Sequence, residues 1–151
     1  MFLDRLFKRK QKARSFEEFV ELAGDGYDRI WVHPAVVVKR AVDTAAVGPI
    51  GDHHYTVDIR ATGAGKRELA HTVHLDDIQR FGSVHALGDF DERRAANVKH
   101  GLRTEKLMKR LRLALPHADV WFVSTYGHVV EDPKPMFAEL HEYAEANGIA
   151  V

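Results

Sequence analysis

Strict alternation on both sides of a glycine-rich turn is the feature that most restricts the fold of this chain. The positions that form one face are Tyr55, Val57, Ile59 and Ala61 before the turn, and Leu69, His71, Val73 and Leu75 after it. A period of two is typical of a strand with one buried face. The sequence therefore predicts an antiparallel hairpin that turns at Gly63-Ala64-Gly65.

The register of this hairpin follows from matching the two faces across a three-residue turn, which pairs Thr62 with Lys66. The remaining predicted pairs are Arg60 with Glu68, Asp58 with Ala70, Val57 with His71, Thr56 with Thr72, Tyr55 with Val73, and His54 with His74. An opposite-charge pair and a threonine pair both stabilise adjacent strands, so the register is chemically consistent.

A short helix with both ends marked precedes the hairpin in "SFEEFVELAG". Ser15 can cap its start, Glu18 completes a capping box, and Gly24 can end it. Between this helix and the hairpin, the β-branched stretch "DRIWVHPAVVVKRAV" is interrupted by Pro34, which favours an edge strand or two pieces that meet at a bulge. Residues 43–52 are predicted to form a loop.

After the hairpin, "LDDIQRFG" is predicted as a short helix or turn. Two helices then follow, one from a cap at Asp91 to Gly101 and one from Thr104 to Pro116, although a single kinked helix across Gly101 fits equally well. "ADVWFVSTYG" has the apolar character of a buried strand, and Pro135 suits the first residue of a last helix.

These elements follow the order α-β-β-β-α-α-β-α. The sequence predicts one α+β domain over residues 15–151, with helices packed on a single, mainly antiparallel sheet of three strands plus one buried later strand. A chain of 151 residues is long enough for one such core.

Residues 1–14 differ from the rest, because they carry six lysines and arginines against a single acid, Asp4. Their apolar residues share one side, so the segment is predicted to be a separate, basic amphipathic stretch that can touch an anionic membrane surface. A tail that frays, or that docks on this protein or a partner, is the alternative. No stretch approaches the roughly 20 apolar residues of a transmembrane segment.

The chain contains no cysteine, which excludes a disulfide framework, a thiolate metal site and a cysteine nucleophile. We therefore expect a soluble protein in the reducing cytoplasm. Its formal net charge is zero, so no overall field attracts nucleic acid or an anionic surface.

Ten histidines make the chain histidine-rich and suggest a divalent metal site. In the predicted register, His54 and His74 lie opposite each other with Cβ atoms roughly 5 Å apart, close enough to share an ion. The alternative is that both are exposed strand residues. His71 lies on the opposite, apolar face and is predicted to be a core or edge histidine with a backbone hydrogen bond.

The order of elements over residues 16–125 resembles the core of the PD-(D/E)xK nuclease fold. The resemblance implies a metal site on the second and third strands, where Asp58 would be the second-strand acid. The third strand, "ELAHTVHL", has no acid-x-Lys, because Glu68 is followed two residues later by Ala70. The resemblance therefore implies a degenerate, non-catalytic member more than an active nuclease; a metal-dependent hydrolase or phosphodiesterase that uses His54 and His74 with Asp58 is the enzymatic alternative.

A basic stripe is predicted on the helix through residues 99–110. Its members are Lys99, Arg103, Lys106 and Arg110. Spacings of four, three and four place them within roughly 60° of one another, so they could contact successive phosphates of a nucleic acid. A solvated outer face is the alternative interpretation.

Polar residues follow the buried strand at Ser124, Thr125 and Tyr126, with His128 just beyond. Ligands in α/β proteins often bind beyond the carboxyl end of a strand, so these residues are candidate ligand contacts. Asp58 and His128 are the only catalytic candidates, and they form no complete constellation. The sequence therefore favours a non-enzymatic binding module that acts on a protein partner or on a second copy of itself.

Overall fold

The computed structural model describes residues 10–44, 48–81 and 89–151. In order, the elements are β1 (Gln11–Lys12), α1 (Phe16–Ala23), β2 (Arg29–Thr44), β3 (Gly48–Thr62), β4 (Leu69–Phe81), α2 (Asp89–Ala114), β5 (Asp119–Val123), β6 (Val129–Val130) and α3 (Lys134–Ala146). The α+β class is confirmed. The described sheet has six strands instead of four, and two of its pairs are parallel.

The strands are arranged in the order β1-β4-β3-β2-β5-β6. Strands β2, β3 and β4 form an antiparallel meander, as predicted. The sheet is mixed because β5 joins it parallel to β2 and β1 joins it parallel to β4. Helix α2 carries the chain from β4 across two strands to β5, and only such a crossover can place two strands in parallel.

The apolar residues of the strands point to one side of the sheet, which we call the helix face. Ile30 and Val32 of β2 and Ile59 of β3 are fully buried there, together with Phe19 of α1 and Leu111 of α2. Phe122 of β5 contacts the ring of Phe137 of α3 on the same side, with ring centroids 5.4 Å apart. Since side chains alternate along a strand, the intervening residues form the opposite side, which we call the outer face.

Helix α1 begins and ends where the sequence predicts. The Ser15 hydroxyl oxygen accepts a hydrogen bond from the Glu18 backbone N–H at 3.0 Å. The Glu18 carboxylate accepts one from the Arg14 N–H at 3.3 Å, one residue before the Ser15 N–H that a capping box would use. Phe19 and Ala23 are buried, which fixes the helix on the sheet.

Strand β2 changes its position in the sheet along its length. From Arg29 to Val32 it lies between β3 and β5, and beyond Val32 no pair with β5 is formed in the described residues. Pro34 follows at this point, where a residue without a backbone N–H is best tolerated. The prediction of an edge position is thus partly right, but the irregularity in β2 lies between Arg40 and Val42 instead of at Pro34.

The β3–β4 hairpin forms, but its predicted register is wrong by two residues. Asp58 pairs with Thr72 and not with Ala70. Arg60 and Glu68 are consequently not directly opposite, although their side chains still form an ion pair at 2.9 Å. Glu68 precedes β4 and approaches Arg60 diagonally.

The register differs because the connection between the two strands is longer than a tight turn. The Tyr27 hydroxyl donates to the Arg67 carbonyl at 2.6 Å, which holds the chain outside the sheet until Leu69. Gly63 lies against the Gly26 backbone, where a Cβ would collide with the carbonyl oxygen. A contact from a distant segment therefore decides a register that the hairpin sequence alone does not.

Three local predictions are wrong because backbone pairing extends further than the apolar pattern. Residues 43–52 are mostly strand, since β2 continues to Thr44 and β3 begins at Gly48. The segment predicted as a short helix or turn is the end of β4, where Phe81 pairs with Gly51. Residues 10–14 were expected outside the domain, but β1 pairs with β4 and Ala13 lies in the core. Residues 1–9 lie outside the described chain.

Helix α2 is a single helix across Gly101, which was one of the two alternatives, and it begins at Asp89 and not after a cap at Asp91. Gly101 does not end the helix. A Cβ at this position would lie 2.6 Å from Leu140 Cδ1, so the glycine allows α3 to pack closely on α2. The last helix forms as predicted, but it begins at Lys134, so Pro135 is its second residue and not its first.

Candidate ligand pocket

A cavity of about 500 Å³ opens on the helix face beyond the carboxyl end of β5. Four segments form its walls: β2, α2, the end of β5 with its following turn, and α3. The lining residues are Pro34, Val36, Asn97, His100, Gly101, Phe122, Ser124, Thr125, Tyr126, Met136 and Leu140. Five of these side chains are apolar and provide most of the exposed surface, and the five polar ones come from Asn97, His100 and the turn after β5.

The turn after β5 presents three predicted contact residues to the pocket. Ser124 N–H donates to the His128 carbonyl at 2.8 Å, and the Ser124 carbonyl accepts from the Gly127 N–H at 2.8 Å. Gly127 has a φ of 85°, which closes the turn into β6. Ser124, Thr125 and Tyr126 therefore line the cavity, and Tyr126 is 88% exposed at its rim.

His100 anchors α2 to the sheet beside the cavity. Its Nε2 lies 2.8 Å from the Thr56 carbonyl oxygen, and a carbonyl can only accept, so Nε2 carries a proton and donates. The β3–β4 register shifts between His54 and Thr56, and such a bulge interrupts the ladder next to the carbonyl that His100 binds. The imidazole also packs against the edge of the Tyr55 ring, with centroids 5.1 Å apart.

His53 continues the same side of β3 past Tyr55, and its ring centroid lies 6.5 Å from that of Tyr55. Burial, and then the positive charge of Arg93, lowers the pKa of the His53 imidazole below its ordinary value of 6.5. Both causes disfavour the charged form. His53 is therefore mainly neutral at pH 7 and adds little charge to this end of α2.

The pocket has the properties of a site that holds an apolar group. Its volume lies within the range of about 300–1,000 Å³ that is typical of small-molecule sites, and most of its surface is apolar, with polar side chains from α2 and from the turn after β5. The strand-end rule identified the part formed by Ser124, Thr125 and Tyr126. The contributions of Val36 and Met136 were missed, because no local pattern shows that distant elements meet there.

The two histidines proposed as metal ligands are not directly opposite. His74 pairs with Thr56, and His54 pairs with Ile78 on the far side of the bulge. Among the described residues, no group of three or more histidine and carboxylate side chains is placed to hold a metal ion. The register on which the proposed pair depended is therefore wrong, and metal binding by these histidines stays a prediction. His71 is confirmed as a half-buried histidine with a backbone partner, the Ala13 carbonyl, at 3.1 Å from Nδ1.

The two catalytic candidates lie on different parts of the fold. Asp58 is on the outer face, where its Oδ1 accepts a hydrogen bond from the Thr72 hydroxyl at 2.7 Å. His128 is exposed in the turn after β5 and does not line the pocket. The structure brings neither residue close to the other, because the sheet separates Asp58 from the helix face.

The basic stripe on α2 makes contacts within the chain. Arg103 donates to the Leu75 carbonyl at 3.2 Å, and Lys106 donates to the Val151 carbonyl at 2.9 Å. The Arg110 guanidinium lies 4.3 Å from the centre of the Phe16 ring. Lys99 is half-buried. Nucleic-acid binding through these side chains stays a prediction.

Comparison with protein-family models, with curated proteins and with solved structures gave no match. The elements α1, β2, β3, β4, α2 and β5 occur along the chain in the same order as in the PD-(D/E)xK nuclease core. Thr72, and not an acid, stands opposite Asp58, so the described strands do not supply a paired carboxylate there. A likeness in element order alone does not give a function. None of the described helices is long and apolar enough to cross a membrane.

Proposed function

We propose that this protein is a non-enzymatic binding module that takes the apolar part of a small organic ligand into the pocket beyond β5. The observation that carries the proposal is the cavity of about 500 Å³ whose walls come from four separate segments of the fold. The pocket is large enough for a small organic ligand, and most of its surface is apolar.

The lining determines the chemistry of the ligand. Pro34, Val36, Phe122, Met136 and Leu140 provide an apolar surface that is complementary to an aromatic or branched aliphatic group. The polar side chains lie on α2 and on the turn after β5. A ligand with an apolar body and one hydrogen-bonding group therefore fits better than a polyanion or a sugar.

Binding is favoured over catalysis by the state of the pocket's one imidazole. His100 is 5% exposed, and its Nε2 proton is directed to the Thr56 carbonyl. An acid–base catalyst needs a group that can exchange a proton with the substrate, usually beside a second titratable residue. No carboxylate of the described chain lines the cavity, so a ligand would be held there by the shape of the pocket and by hydrogen bonds.

The same proposal includes a cytoplasmic setting. It depends on the lack of cysteine, which suits a reducing compartment, and on a formal net charge of zero. None of the described contacts around the pocket requires an oxidising compartment.

Fluorescence of the dye anilinonaphthalene sulfonate tests the proposal, because the dye joins an apolar ring system to one polar group. We expect saturable, one-to-one enhancement with the folded protein, and competition by indole. Val36→Trp places an indole inside the cavity and should abolish the enhancement. Val37→Trp is the matched control: Val37 is the next residue of β2, points to the opposite face and is 48% exposed.

The two variants distinguish dye binding in the pocket from dye binding to exposed apolar surface in general. Circular dichroism and urea unfolding must first show that both are folded to the same extent as the wild type. The proposal is contradicted by equal dye affinity of Val36→Trp and wild type, or by the absence of saturable binding to the wild type.

A further inference from the structure

The outer face of the sheet carries two adjacent tryptophans that no described helix covers. Trp31 of β2 and Trp121 of β5 are register partners in the parallel pair, and their rings stack with centroids 6.1 Å apart at 27°. Both are half-buried. All three described helices pack on the other side of the sheet, where the core lies. Two large aromatic side chains therefore remain at the surface in the middle of the sheet.

Two residues before the tryptophan pair, the same face carries two opposite charges. Arg29 of β2 is the register partner of Asp119 of β5, and both residues are exposed. Neither forms an ion pair with any residue in the part of the chain that the structure describes. Because side chains alternate, Arg29 and Trp31 share a face, and Asp119 and Trp121 share it as well.

We propose that a second copy of this chain docks on the outer face about a twofold axis that runs parallel to the strands between β2 and β5. Such an axis places β2 of one subunit over β5 of the other. Trp31 then packs on the partner subunit's Trp121, and Arg29 faces the partner subunit's Asp119. Face-to-face sheets pack about 10 Å apart, a distance that tryptophan side chains from both sides fill.

The arrangement of charges is what identifies the occupant as a second copy. A twofold interface must be complementary to itself, and opposite charges on either side of an axis satisfy this condition in both directions. Tryptophan and arginine are also the residues most enriched among strong interface contacts. A nucleic acid is less suitable, because Asp119 and Asp58 share this face and would oppose the phosphates.

The dimer goes beyond the proposed ligand pocket, which lies on the helix face, and the two can fail independently. Sedimentation equilibrium of the full chain over a range of concentrations should give twice the mass of one chain for the wild type. Arg29→Asp and Asp119→Arg should each weaken the dimer by about tenfold or more, since every dimer contains the like-charge contact twice. Arg112→Asp, an exposed charge reversal on α2, is the control that should leave the mass unchanged.

An equimolar mixture of the two charge-reversal variants provides the decisive result. In a mixed pair, the aspartate introduced at position 29 of the first variant faces the arginine introduced at position 119 of the second. The unchanged Asp119 of the first variant faces the unchanged Arg29 of the second, so both contacts are attractive again. We expect the mixture to associate as strongly as the wild type while each variant alone associates about tenfold or more weakly, with unchanged circular dichroism. A monomeric wild type, single variants that dimerise as strongly as the wild type, or a mixture that associates no more strongly than the single variants would each overturn the proposal.

Discussion

Replacing His100 with phenylalanine tests the contact that joins α2 to β3 beside the pocket. His100 and Thr56 are both buried, at 5% and 4% exposed, so water cannot take over the hydrogen bond from Nε2 to the Thr56 carbonyl. Leaving that carbonyl without its donor costs about 1–3 kcal/mol of stability. Phenylalanine keeps the edge contact with Tyr55, whereas His100→Ala loses this contact and also leaves a cavity, so it should cost at least about 0.5–1.5 kcal/mol more.

Urea unfolding, followed by circular dichroism, measures these differences as shifts of the midpoint at a constant slope. In thermal unfolding, each 1 kcal/mol should lower Tm by roughly 2–4 °C for a domain of this size. His117→Phe is the control, because His117 is exposed, and it should change stability by less than about 0.5 kcal/mol. If His100→Phe is as stable as the wild type, the imidazole does not hold the helix to the strand.

Two further predictions concern individual side chains. Trp31→Phe should lose about 1 kcal/mol more stability than Trp121→Phe. The reason is that Trp31 Nε1 donates to Thr62 Oγ1 at 3.2 Å, whereas the buried Trp121 Nε1 has no hydrogen-bond partner among the described residues. Urea unfolding compares the variants in the same oligomeric state, and equal losses would count against this difference. Burial and the charge of Arg93 lower the pKa of His53 below 6.5, so His53 binds a proton more readily in the unfolded chain. Its contribution to folding stability is therefore present above pH 6.5 and is lost as the pH falls through the lowered pKa. The stability advantage of the wild type over His53→Gln should therefore shrink on acidification, and a difference that is constant with pH would contradict it.

Local signals in the sequence were sufficient for the ends of α1. Ser15 and Glu18 are neighbours in the chain, so the capping contact that they form does not depend on the rest of the fold. The register of the β3–β4 hairpin could not be predicted from local signals, because the Tyr27 hydroxyl holds the connection from outside the hairpin. A pattern within the hairpin cannot contain information about a hydrogen bond to a residue 40 positions away.

The pocket was predictable to the same limited extent. The end of a buried strand indicated Ser124 and its neighbours, since that position depends on one element only. His100 and Leu140 come from two helices whose meeting point is set by tertiary packing. Gly101 marks the place where α2 and α3 pack together. Its sequence context suggested a helix end, but in the structure the absence of a side chain at Gly101 leaves room for Leu140.

Methyl NMR of isotope-labelled methionines tests the ligand pocket most directly. Met136 lines the cavity, whereas Met108 is 1% exposed in the core against the sheet and is a control within the same molecule. On addition of anilinonaphthalene sulfonate, we expect the Met136 methyl resonance to shift to saturation with the affinity found by fluorescence, while that of Met108 stays in place. An unmoved Met136 resonance at a saturating dye concentration would contradict binding in this pocket.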